Sequence, residues 1–118
     1  QEAAKFARPL ALADPREVRR YHYYSGVKTL EAPALDFPGD TVNPAVIKSF
    51  LTRYSPQCDV LYLFIVELSS NEPLTGAALG IPPENWQLLS CHYQNRRKKK
   101  QLRLYRYLPP QREKAKKL

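Results

Sequence analysis

Five consecutive cations, Arg96-Arg97-Lys98-Lys99-Lys100, are the residues of this chain whose type and spacing point most directly to chemistry. Their mutual repulsion costs free energy unless water, salt or an anionic partner offsets it, so the chemistry they offer is neutralisation of a polyanion. The imbalance extends to the C-terminus. Arg96 to Leu118 holds 11 Lys and Arg against one acid, Glu113, while Gln1 to Asn95 holds 8 against 10. A body of charge −2 thus carries a C-terminal segment of charge +10. Lys and Arg gain affinity for nucleic acid by releasing its condensed counterions, and Tyr105 and Tyr107 beside Arg103 suit stacking on unpaired bases while guanidinium groups hold phosphates. The same run also fits a nuclear-import address, an acidic lipid, heparin or an acidic protein. In the plainer reading it is a solvated surface loop, with the tyrosines covering sheet.

Catalytic constellations are thin. A metal-free nuclease needs two proton-transfer groups and a cation near the scissile phosphate, and His22, His92, Glu67 and Arg103 are the only cast for it. Both histidines also read as ordinary half-buried residues of strands. Ser90-Cys91-His92 sets thiol and imidazole side by side in sequence, but neighbours on a strand point to opposite faces and form no dyad. Cys58 and Cys91 lie in apolar surroundings and permit one disulfide if their elements are neighbours, or two buried free thiols. With His22 and His92 they lack the short ligand spacing of a zinc site. No phosphate loop is present, since no Gly-x-x-x-x-Gly-Lys-Ser/Thr pattern occurs. The expectation is a protein that is not an enzyme and uses no metal or cofactor.

The elements that must position these residues follow from periodicity and punctuation. Gln1 to Ala13 mixes Ala, Leu and charge and reads as a short helix stopping at Asp14-Pro15. Val18 to Thr29 reads as a strand, with Tyr21 and Tyr23 on one face and His22 and Tyr24 on the other, and residues 33–40 as a loop. Asn43-Pro44 supplies an N-cap and a first helical residue, and Val46, Ile47, Phe50, Leu51 and Tyr54 form one buried stripe, so a helix spans 44–54. Cys58 to Leu68 is a near-continuous apolar run, the pattern of a central strand covered on both faces. Residues 69–83 form a long connection with room for a helical turn. Residues 84–94 suit a helix started by Pro83 or the first arm of a hairpin, with the strand preferred. Residues 101–108 alternate, Leu102, Leu104 and Leu108 facing a core and Arg103, Tyr105 and Tyr107 facing out. Asn95 to Lys100 is then a hairpin tip that projects the five cations into solvent.

The 118 residues, 43% hydrophobic, fit one compact domain over 1–110 followed by a flexible basic tail over 111–118. The 11 prolines punctuate the chain, and no apolar run approaches the length of a membrane helix. The expected fold is α+β, a mainly antiparallel sheet of about four strands with the 44–54 helix packed on one face. The expected function is a non-enzymatic binding module that meets RNA, DNA or another polyanion through Arg96, Arg97, Lys98, Lys99, Lys100, Arg103, Tyr105 and Tyr107. The alternative is a protein-protein interaction module, secreted and bridged from Cys58 to Cys91, whose basic segment serves solubility or targeting.

Overall fold

A computed structural model describes residues 7–13, 27–31, 42–95, 97 and 99–110. The chain is α+β, with a five-stranded mixed sheet and one main helix. Strands β1 (Pro9–Ala13), β2 (Lys28–Glu31), β3 (Val60–Leu68), β4 (Trp86–Asn95) and β5 (Lys100–Tyr107) stand in the order β2-β1-β3-β5-β4. β1 runs parallel to both β2 and β3, whereas β5 runs antiparallel to β3 and β4. The sheet therefore differs from the mainly antiparallel, four-stranded expectation in both count and polarity.

The extra strand comes from the expected N-terminal helix. Pro9-Leu-Ala-Leu-Ala is a strand inserted between β2 and β3, with Leu10 and Leu12 on one face and Ala11 and Ala13 on the other. Its four last residues are buried, and pairing on both sides overrides the helix preference of alanine. Of the strand expected over 18–29, only its end coincides with β2. Tyr21, His22, Tyr23 and Tyr24 lie outside the described residues, as do the loop expected over 33–40 and the tail at 111–118.

Helix α1 (Pro44–Tyr54) forms where its caps require it. The Asn43 carboxamide oxygen accepts the Ala45 N–H at 3.0 Å, and Pro44 occupies the first turn. Ile47 and Leu51 are buried on the Leu61, Leu63 and Ile65 face of β3, with Phe50 and Tyr54 partly covered beside them. Each fully buried aliphatic side chain of this kind contributes about 1.5–3 kcal/mol, so the apolar stripe, not propensity, holds the helix in place.

Val60 to Glu67 is buried throughout, as expected for the central strand, and the other face carries Tyr62 and Phe64 with Ala11, Ala13 and Val27. The 69–83 connection does hold a helical turn, α2 (Gly76–Leu79), capped by the Thr75 hydroxyl, which accepts the Ala78 N–H at 3.2 Å. It ends at Gly80, whose φ of 69° is the left-handed conformation a helix C-terminus favours. Gly76 is required for a different reason: a Cβ there would lie 2.7 Å from the Ile81 carbonyl oxygen, a backbone atom that cannot swing aside. The Ile81 N–H also bonds the Gly76 carbonyl at 2.8 Å, so this loop closes on itself through glycine. Gly76→Ala is expected to destabilise the fold by about 2 kcal/mol through overpacking, measured by urea unfolding. A loss below that of the solvent-facing Ala77→Gly would show that the loop yields freely.

Candidate functional site

Among the described residues three chemically capable groups stand apart: the hairpin tip, a buried charge cluster beneath the 69–74 loop, and a cleft at the opposite end of the sheet. The tip is the turn between β4 and β5, closed by the Asn95–Lys100 pair, as the sequence reading expects. Arg97 and Lys99 are exposed. Lys99 has a φ of 53°, left-handed backbone that costs an ordinary residue about 1–2 kcal/mol. Its carbonyl accepts the Ser69 N–H at 2.6 Å, which ties the turn to the end of β3. Arg96 and Lys98 lie outside the described residues, and Lys100 is described through its backbone, paired with Asn95 and Leu68.

The remaining binding candidates do not share the tip's surface. Arg103 and Tyr105 are 3% and 0% exposed. The outward face assigned to them is the face that α1 and the 69–83 connection cover, while Leu102, Leu104 and Leu108 pack on the other side against Tyr62 and Phe64. Neither Arg103 nor Tyr105 can reach a phosphate or stack on a base. Tyr107 is half-buried and pairs with Leu61 and Trp86, seven residues along β5 from Lys100 or roughly 23 Å at strand spacing.

What Arg103 does instead is hold a loop. Its Nη1 faces Glu67 Oε2 at 3.2 Å, both side chains being almost wholly buried. Its Nη2 donates to the Asn71 carbonyl at 2.7 Å and to the Ser69 carbonyl at 3.3 Å, and its Nε donates to Gln101 Oε1 at 3.0 Å. Burial pushes the Glu67 carboxyl up from its ordinary range, opposed by the Arg103 charge and the Asn71 amide. Next along the face, the Tyr105 hydroxyl accepts the Leu74 N–H at 3.0 Å and the Trp86 indole N–H donates to the Leu74 carbonyl at 2.9 Å. The two rings stack at 4.9 Å between centroids. Arg103, Tyr105 and Trp86 thus satisfy backbone groups of residues 69–74 that burial would otherwise leave costly.

The cleft, about 530 Å³, opens between the C-terminal end of α1 and the end of β5. Leu51, Cys58, Leu79 and Ile81 supply apolar lining, Lys48 a cation, and Tyr107 a phenol. At its rim the Arg8 guanidinium grips Asp59 through Nε at 3.2 Å and Nη2 at 2.9 Å, locking the starts of β1 and β3 together. Cys58 lies at its buried edge, where it donates to the Tyr54 carbonyl at 3.4 Å. Burial pushes this thiol up to about 11, which favours its protonated form at neutral pH.

Both cysteines are free, Cys58 buried and Cys91 exposed, so of the two arrangements the sequence permits it is the bridge that is not formed. The topology explains why. Cys58 precedes β3 at the cleft end, whereas Cys91 pairs with Arg103 on β4, two strands away and five residues beyond Trp86. Strand spacing alone separates β3 from β4 by about 10 Å, more than a disulfide spans. Of the nuclease cast, Glu67 and Arg103 neutralise one another under the loop, the backbone of His92 aligns with Leu102, and His22 lies outside the described residues. Among the described residues no three His, Cys, Asp or Glu come together as metal ligands, and no helix is long and apolar enough to cross a membrane.

Comparison with protein-family models, with curated proteins and with solved structures finds no match. The functional reading therefore rests on these residues and their surroundings.

Two outcomes follow for the buried cluster. Arg103→Met leaves the Glu67 carboxylate buried without its partner and is expected to cost about 3–5 kcal/mol, whereas the Glu67→Leu/Arg103→Met double variant costs less. Urea unfolding of the wild type, Glu67→Leu, Arg103→Met and the double variant measures the coupling, and a double variant as unstable as Arg103→Met would contradict it. The second outcome concerns alkali. Burial pushes the Tyr105 phenol up to about 12 from 10.0, so the folded state resists its ionisation. A folded-state value above the unfolded one gives stability that is complete below pH 10 and lost as pH rises toward 12. The loss assigned to Tyr105 is on the order of 2–3 kcal/mol. Tyr105→Phe should flatten the fall of stability across that window, and an unchanged slope would remove the assignment.

Proposed function

We propose that this chain is a non-enzymatic binding module that contacts a polyanion, most naturally RNA or DNA, through the hairpin tip formed by Arg96, Arg97, Lys98, Lys99 and Lys100. The observation that carries the reading is the pairing of exposure with tethering. Arg97 and Lys99 are exposed in a turn whose base is tied to β3 by the Ser69–Lys99 bond, and neither has an acidic partner among the described residues. The sequence from Asn85 to Arg112 contains no Asp or Glu, so the hairpin itself supplies no acid to neutralise the run. A tethered turn presents its cations with less ordering cost on binding than a free tail does. Arg103 and Tyr105 support this module from beneath, by holding the sheet and the 69–74 loop, and make no contact with the ligand.

Recognition through cations alone favours backbone phosphates over base edges, so binding should depend steeply on salt and weakly on sequence. The test is a salt titration of the full chain against labelled single-stranded and double-stranded oligonucleotides of RNA and DNA. A tip variant carries Ser at positions 96, 97, 98 and 100 and Asn at 99, because asparagine tolerates the left-handed backbone there. The variant is expected to lose about tenfold or more in affinity at fixed salt, with a log-log slope shallower by roughly 0.7–0.9 for each phosphate contact removed. Equal binding and equal slope in a variant that keeps its thermal unfolding midpoint would eliminate the reading.

A further inference from the structure

Among the described residues the sheet has two edges, β2 and β4, and they are built differently. β2 offers four residues, with exposed Lys28 and Glu31 at its ends. β4 offers ten, Trp86–Asn95, without one Asp, Glu, Lys, Arg, Pro or Gly. An edge strand carries a row of unpaired backbone donors and acceptors, and shortness, charge and proline are the devices that prevent another strand from adding to it. β2 uses two of them; β4 uses none of the three and carries only bulges, a weaker guard that leaves the run between them in regular register. The bulges of β4, at Leu88/Ser90 and Tyr93/Asn95, bracket an unbroken run of pairing from Ser90 to Tyr93. Beside this run, on the sheet face away from α1, Leu89, Leu102 and Leu104 are only half-buried. Leu104 pairs with Ser90 and Leu102 with His92, so the leucines flank the run directly.

We propose that β4 is a dimerisation edge, to which a second copy of this chain adds its own β4 antiparallel about a two-fold axis near Cys91, joining the two sheets. Charge selects both the occupant and the direction. A segment without formal charge gives a charged partner strand nothing to pair with, but it meets its own copy without repulsion, as a two-fold interface requires. Parallel addition would bring two five-cation tips together. Antiparallel addition sends them to opposite ends, roughly 45 Å apart at strand spacing and far beyond the Debye length of about 8 Å in physiological salt. The two-fold also leaves the half-buried leucines of both copies on one face of the joined sheet, on either side of the axis.

Cys91 reports on this geometry, because it is exposed near the proposed axis while Cys58 is buried. Directly opposed residues of antiparallel strands lie within disulfide reach. Sedimentation equilibrium of the reduced full chain is expected to give twice the 13.6 kDa chain mass. Mild oxidation should convert that dimer to a covalent one, and Cys91→Ser should abolish the covalent product while keeping the dimer. Cys91→Lys sets like charges at the axis and is expected to raise the dimer dissociation constant by about tenfold or more. A chain that sediments at 13.6 kDa up to its solubility limit overturns the proposal. So does a dimer that forms no Cys91 cross-link, a result that needs no substitution and stands even if Cys91→Lys fails to fold. None of these measurements involves a polyanion, so their failure is distinguishable from failure of the tip reading.

Discussion

The buried charge pair between Glu67 and Arg103 is the constraint around which this half of the molecule is arranged. A carboxylate and a guanidinium removed from water are tolerable only with each other and with further hydrogen bonds. Arg103 meets part of that requirement by donating to the carbonyls of Ser69 and Asn71 and to Gln101, while its Nη1 and Glu67 Oε2 are held by charge without a hydrogen bond. Those donors fix the chain as it leaves β3, and Tyr105 and Trp86 then take the N–H and carbonyl of Leu74. One face of β5 is thereby committed to holding a loop. In the hairpin the described cations that stay exposed, Arg97 and Lys99, lie beyond the strand, in the turn.

That division separates the chemistry of the two ends of the sheet. At one end the β4–β5 turn is tied to Ser69 and exposes Arg97 and Lys99. At the other, Arg8 and Asp59 lock the starts of β1 and β3, and Asn85 exchanges hydrogen bonds with Leu108 to close the base of the hairpin. The cleft at this second end is lined by an ion-paired Arg8, a thiol kept protonated by burial, and apolar side chains. It offers no concentration of charge comparable to the tip.

Much of the framework was legible from local signals. Asn43-Pro44 and the spacing of Ile47 and Leu51 specify α1, the unbroken run from Val60 specifies a strand buried on both faces, and the return of alternation at Leu102 specifies β5, whereas residues 84–94 suit a helix as well as the hairpin's first arm. The misreadings share one cause. Pro9 to Ala13 resembles a helix because alanine and leucine favour one, yet it fills an interior strand position that only its neighbours create. β5 alternates Leu with Arg and Tyr, and the rule that leucine faces in holds for a sheet with one wet face. Here both faces are covered at the centre, so alternation assigned the residues to two faces without telling which of them α1 would cover.

The sequence by itself determined α1, the central strand and β5, where the charge accumulates, and that two cysteines and two histidines lack ligand spacing, because these depend on residues near one another along the chain. Tertiary structure alone decided that Arg103 answers Glu67 instead of a phosphate, that Tyr105 reaches the backbone of Leu74, and that Cys58 and Cys91 stand two strands apart. Each of those outcomes turns on strand order and on what lies over a face. Strand order places residues such as Glu67 and Arg103, 36 positions apart in the sequence, side by side, and no local periodicity encodes such a meeting.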